Sequence, residues 1–137
     1  MNSQGVISSD GRWVAFASSA KNLVAHDSNP HADVFLWSSE TGRIRRITRG
    51  NTVNDAASLS ADGRFVAYAS REFDPDDPRS QLRDLYVWDR ATGKTVRVTP
   101  VMGKTSLPMI SDDGKYVVYQ SRSTELVPGD WERNSTE

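Results

Sequence analysis

One phrase, written three times, constrains this chain more than any other feature. Residues 8–18 read SSDGRWVAFAS, residues 60–70 read SADGRFVAYAS, and residues 111–121 read SDDGKYVVYQS. Asp10, Asp62 and Asp113 stand 52 and 51 residues apart (62 − 10 and 113 − 62). Trp37 and Trp88, Asp33 and Asp84, and Gly42 and Gly93 are each 51 apart. A period held by several independent markers is the signature of a repeat architecture, in which each unit is one supersecondary element.

Each unit reads as strands. WVAFASS, RFVAYAS and KYVVYQS are short, β-branched and aromatic, and each follows an Asp-Gly turn signal. The preceding segments, such as AASLS at 56–60 and LPMIS at 107–111, supply the partner strand of a hairpin. Asp-Gly offers the positive φ that a tight hairpin turn requires. A second hairpin follows: DVFLW at 33–37 and DLYVWD at 84–89, then the turns SETGR and RATGK with Gly42 and Gly93 as left-handed residues, then RIRRIT and KTVRVT. One unit is thus four antiparallel strands, and no stretch carries a helical period.

Val34 and Leu36 fall on one face of their strand, Phe35 and Trp37 on the other. A sheet with one solvated face alternates more cleanly. A sheet sandwiched between neighbours carries apolar groups on both sides, as in a radial stack of four-stranded blades. The fold class read from the chain is all-β, a β-propeller of about two and a half blades. Blade one spans 1–50, blade two 51–101 and a partial blade three 102–137. Arg43, Arg45, Arg46, Lys94 and Arg97 fall in the fourth strands, where charge suits an exposed outer edge that must not pair with another sheet.

Three motifs now recur in order: Ser-x-Asp-Gly-Arg/Lys-aromatic-Val, then Asp-Val/Leu-Phe/Tyr-x-Trp, then Thr-Gly-x-x-x-Arg-x-Thr. This pattern resembles the WD-repeat-like blade of bacterial TolB-type propellers over nearly the whole chain. Asn22-Leu23-Val24 with Asp27-Ser28-Asn29, and Glu125-Leu126-Val127-Pro128-Gly129-Asp130, look like a bacterial subgroup with long loops. The departures are specific: the Gly-His pair of true WD repeats is absent, Trp88-Asp89 has Trp37-Ser38 as its counterpart, and the middle unit carries REFDPDDPRSQLR instead of the Asn-Leu-Val loop. The resemblance implies a binding role, either as an interaction platform or as a non-catalytic gate before a peptidase domain. Other relatives in the superfamily are lyases or hydrolases, so an enzyme remains the alternative reading.

Two and a half blades do not close a ring that takes about four to eight. The sequence presents no polar cap for either end. The ring is therefore expected to be completed by a longer chain or by self-association with further copies, an open stack being the third arrangement.

Composition narrows the partners. Seventeen basic and 18 acidic residues leave a net charge of −1, which disfavours a dedicated nucleic-acid binder or membrane-surface protein. There is no cysteine, hence neither a disulfide framework nor a thiolate metal site. No apolar run has the length of a membrane span. MNSQGVISSDGRW does not read as a signal peptide. The compartment stays open, since resembling families are often periplasmic or extracellular. No cofactor is expected, and the partner is a protein or small ligand.

The long loops after each second strand are the candidate binding face, because loops on a rigid scaffold commonly carry function. They offer Asn22, His26, Asp27, Asn29 and His31 from blade one, Asp74, Asp76 and Asp77 from blade two, and Asp130, Trp131 and Glu132 from the third unit. Asp27-Ser28-Asn29 and Asp74-Pro75-Asp76-Asp77 lack the spacing of a calcium loop, and Asp and Asn there favour turns instead. His26 and His31 have no histidine counterpart in the other units, which leaves a zinc site poorly supported. Arg43, Arg45 and Arg46 split between two faces, so they form no continuous phosphate stripe. No nucleophile elbow, metalloprotease helix motif or phosphate loop is present, and Ser18, Ser70 and Ser121 recur by blade, which marks them as structural.

Overall fold

The computed structural model describes residues 5–77, 82–99 and 105–123. Among these there are ten strands and no helix. Strands β1 (Val6–Ile7), β2 (Trp13–Ser18), β3 (Asp33–Ser38) and β4 (Ile44–Arg46) form one sheet in chain order. Strands β5 (Thr52–Leu59), β6 (Phe65–Glu72), β7 (Asp84–Asp89) and β8 (Thr95–Arg97) repeat it, and β9 (Thr105–Ile110) pairs with β10 (Val117–Ser121) as a lone hairpin. All pairings are antiparallel.

The recurring phrase folds the same way each time. Ser8 Oγ accepts the Trp13 amide at 3.0 Å and donates to Asp10 Oδ1 at 2.6 Å. The same Asp10 oxygen accepts the Arg12 amide at 3.0 Å. Ser60, Asp62, Arg64 and Phe65 repeat these bonds, as do Ser111, Asp113, Lys115 and Tyr116. The turn differs from a two-residue Asp-Gly hairpin: its closing pair is Ser8 with Trp13, and only the glycine takes positive φ, +71°, +64° and +72° at Gly11, Gly63 and Gly114. A serine at the first position makes the longer loop possible, because its hydroxyl bridges the strand amide and the aspartate. Donors from Ser8 and the Arg12 amide hold the Asp10 carboxyl below its ordinary range, and Asp62 and Asp113 are lowered by the same kinds of bond.

The sheets stack face to face. In the β2–β3 register Ala15 pairs with Leu36 and Ala17 with Val34, so these four share a face. That face meets Val66, Tyr68 and Trp88 of the second sheet in one buried cluster. Trp13 lies so close to the next turn that a Cβ on Gly63 would sit 2.4 Å from its ring. Phe65 stands in the same relation to Gly114, at 2.3 Å. Glycine is required at both positions twice over, by φ and by the neighbouring blade. Backbone bonds tie the turns together, from the Asp10 amide to Ala61 O at 3.4 Å and from the Ala61 amide to Asp112 O at 3.0 Å.

The last hairpin lacks such a neighbour. Tyr116, Val118 and Met109 are 70 %, 69 % and 68 % exposed, whereas Ala67, which precedes Val118 by one repeat, is fully buried. At the opposite end Ile7 is equally open, and nothing stands within 4 Å of a Cβ on Gly11.

Candidate functional site

The strand order puts the Ser-x-Asp-Gly turns on one rim and the long loops, with the linker between blades, on the other. The loop rim is knitted together across blades. The His31 ring lies on Phe73 with centroids 4.2 Å apart. Asn29 Nδ2 donates to Gly50 O at 3.1 Å, and Asn51 Nδ2 donates to Phe73 O at 3.2 Å. Phe73 in turn donates its amide to Asn51 O at 3.1 Å. Loops from blades one and two thus form one surface with the linker at 49–51 between them.

The sequence candidates divide within this surface. Asn22 and His26 are exposed, and His26 sits at φ +65°. Asp27 is turned inward, its side chain 2 % exposed with Oδ1 3.4 Å from Arg46 Nη1. Asn29 is a bracket: it donates to Asp33 Oδ2 at 3.0 Å and accepts the His31 amide at 2.8 Å. Asp74 accepts the Asp76 amide at 2.9 Å in an Asx turn. Asp74 and Asp76 are exposed, and Asp77 joins Asp74 in lining the groove described below. Asp130, Trp131 and Glu132 lie outside the described residues.

Of the fourth-strand arginines, Arg43 is exposed as an edge charge should be, whereas Arg46, contrary to expectation, is drawn inward. Arg46 Nη2 lies 2.8 Å from Asp33 Oδ2, and Asp33 is fully buried. Asp33 Oδ1 accepts the Thr48 hydroxyl at 2.6 Å, while Thr48 Oγ1 accepts the Val34 amide at 3.0 Å. Blade two repeats the arrangement with Asp84, Arg97 and Thr99. The Asp and the Arg-x-Thr are therefore a clasp closing each blade between its third and fourth strands. Burying a carboxylate demands such full pairing. The recurrence of all three residues was the available signal, and alternation alone missed it because it says which face a side chain takes, not what waits there. Arg45 is also engaged, its guanidinium 4.8 Å above the Trp88 ring of the next blade.

Between the outer parts of blades one and two a groove of about 930 Å³ opens. Arg45 and Arg49 stand on its blade-one wall, and Tyr68, Tyr86 and Trp88 on its blade-two wall. Glu72, Asp74 and Asp77 mark the end toward the loop rim. Tyr68 and Tyr86 stack with centroids 5.8 Å apart, and burial raises the titration of both phenols. Among the described residues no three His, Asp or Glu side chains gather as a metal-holding group.

No family model matches the chain. Over 94 residues, 68 % of its length, it is 34 % identical to dipeptidyl-peptidase 5 of Porphyromonas gingivalis, of which it spans 14 %. A TolB-type structure from Agrobacterium tumefaciens superposes with a TM-score of 0.63 at 20 % identity, over 92 % of this chain and 40 % of that one. Dipeptidyl peptidase 4 of P. gingivalis gives 0.60 at 15 % identity, over 86 % of this chain and 22 % of the other. The chain spans 14 %, 40 % and 22 % of these three proteins, less than half of each. Similarity at that identity speaks for architecture, and the sheets and their stacking agree with it: the chain has the β-propeller fold of TolB-type proteins, with two complete blades and the opening hairpin of a third among its described residues.

Proposed function

We propose that the chain is a non-catalytic β-propeller segment that acts as an interaction scaffold through its loop rim. The observation that carries this is the cross-blade knitting of that rim, in which His31 packs on Phe73 and Asn29 and Asn51 bind neighbouring backbone. A surface held in place before contact loses less conformational freedom when a partner binds. Asn22, His26, Asp74 and Asp76 project from it as exposed polar groups. A photoreactive residue installed at Asn22 or Asp76 should trap a partner in the producing cell. The same residue at Ser39 or Lys115, on the turn rim, should not. Equal trapping at both rims, or trapping at the turn rim alone, would sink the assignment.

A second reading draws on the 34 % identity to dipeptidyl-peptidase 5. In it the segment belongs to the propeller of a peptidase and gates access to a catalytic domain elsewhere. A longer protein containing this chain would then release p-nitroaniline from a dipeptidyl p-nitroanilide while the 137-residue chain alone would not. Turnover by the chain alone would overturn the non-catalytic assignment under both readings.

A further inference from the structure

The polar residues that break the repeat converge on one place. Residues recurring from blade to blade hold the fold, as Asp33, Arg46 and Thr48 do. Arg45 and Arg49 do not recur: one repeat later stand Val96 and Pro100. The Tyr68–Tyr86 pair of blade two takes the place of the Phe16–Phe35 pair of blade one, adding two hydroxyls to the same stacked position. All four of these exceptional side chains line the groove between the two blades.

Their bonding is also incomplete. Arg49 is exposed and has no ion-pair partner among the described residues. Arg45 rests on the Trp88 ring and forms no ion pair among the described residues. Lining the same groove, Arg46 Nε of blade one and Asn54 Oδ1 of blade two are buried without a hydrogen-bond partner, and Asn54 is only 1 % exposed. A folded protein rarely leaves such atoms unmatched.

We infer that this interblade groove is a binding site for an extended acidic peptide segment, with its carboxylates on Arg45 and Arg49 and its chain along the Tyr68, Tyr86 and Trp88 wall. A free inorganic anion is far smaller than the groove. Arginine suits carboxylate through its planar fork of donors, and tyrosine supplies apolar area with a polar tip. The preference is local to Arg45 and Arg49, because Glu72, Asp74 and Asp77 also line the groove and the chain as a whole carries a net charge of −1 and gains nothing from long-range attraction to an anion. The groove adjoins the loop rim at Arg49, Asp74 and Asp77, but its occupant is read with peptides on the purified chain and does not depend on the scaffold reading.

The test uses the full 137-residue chain and three capped hexapeptides, of Glu, of Lys, and of alternating Ser and Gly, titrated calorimetrically at low salt. The Glu peptide should bind at least about tenfold more tightly than the neutral one, and binding should weaken as salt is added. It should also shift the Trp88 emission, identified by its loss in Trp88→Phe, as Arg45 leaves the ring. Arg45→Gln with Arg49→Gln should abolish the preference, while Arg12→Gln with Arg43→Gln, an equal charge change outside the groove, should preserve it. Arg49→Gln alone, at an exposed residue, serves if the double variant folds poorly, and should weaken Glu-peptide binding severalfold. Equal affinity for the Glu and neutral peptides, or equal loss in both double variants, overturns the site. Photo-trapping at the loop rim would be untouched by either result.

Discussion

The two ends of one packing rule can be compared within this molecule. Between blades one and two, Trp13 rests on the Gly63 turn, Arg90 covers the Trp13 ring at 4.2 Å, and Trp88 is 3 % exposed. At the last hairpin the equivalent aromatic, Tyr116, faces outward, and at the first blade Trp37, the counterpart of Trp88, is only half-buried. The same local sequence makes the same turn in both regions, down to the serine and aspartate bonds. What differs is the neighbour. Turn formation in this fold is therefore local, whereas burial of the apolar faces is a property of the stack.

Substitutions can break this comparison or sharpen it. The largest effect is expected at Trp88: replacement by Ala should cost about 3–5 kcal/mol in urea unfolding, the usual range for a buried aromatic. Trp37→Ala should cost about half of that or less, because one face of the ring is uncovered. Equal losses would mean that the blades do not stack in solution as described. Next come the glycines. Gly11→Ala carries only the left-handed strain of about 1–2 kcal/mol. Gly63→Ala adds a clash with Trp13, for roughly 2–4 kcal/mol in total, and Trp13→Ala in the same chain should return part of the difference.

Smaller changes belong to the aromatics that follow each turn. Phe65→Ala should cost about 1–3 kcal/mol, since the ring covers the Gly114 turn. Tyr116→Ala should change stability by less than about 0.5 kcal/mol while its face stays open. A large loss at Tyr116 would show that something covers the last hairpin in solution. The smallest effect is electrostatic. Arg64 holds the Asp89 carboxyl down from 3.8 to about 2, and Asp10, Asp62 and Asp113 are lowered too. A carboxyl with a depressed folded-state value stabilises fully above its unfolded value and ceases to do so as pH falls through the folded one. Stability should thus decline between about pH 4 and pH 2, and Asp62→Asn should flatten the decline in denaturant midpoints measured against pH. Asp55, raised by burial against the pull of Arg83 and Arg71, works with the opposite sign and above its unfolded value of 3.8, so Asp55→Asn should remove a gain in stability that accompanies acidification just before the decline begins.

The spacing of Asp10, Asp62 and Asp113 carried the architecture, since each marker names a turn and the interval names the blade. Gly42 and Gly93 were legible as left-handed residues and adopt φ +67° and +70°. The two faces of β3 followed from alternation and match its register. The contacts of Arg45 with Trp88 and of Arg46 with Asp27 were not legible, because those partners come from the next blade and from an irregular loop, whereas the Arg46–Asp33 pair within the blade was signalled by its recurrence. The loop candidates were found by residue type, yet Asp27 and Asn29 turned inward to serve the blade-closing clasp. Sequence spacing also gives no hint of the groove, which exists only because the outer parts of two blades diverge.

The bond from Ala61 to Asp112 O links one turn directly to the next. It makes the turn rim a gauge of fixed pitch: a residue inserted between serine and glycine would push the neighbouring blade out of step and pass the error onward. The opposite rim is tied across blades too, by the Asn54 amide to Ala32 O at 3.0 Å, but its long loops lie outside that bond, and REFDPDDPRSQLR occupies the place of a differently composed loop one blade earlier. Variation is thereby better tolerated in the long loops than in the Ser-x-Asp-Gly turns. Whole blades can be copied or lost as units, and new recognition can be written into the loops without renegotiating how blade follows blade.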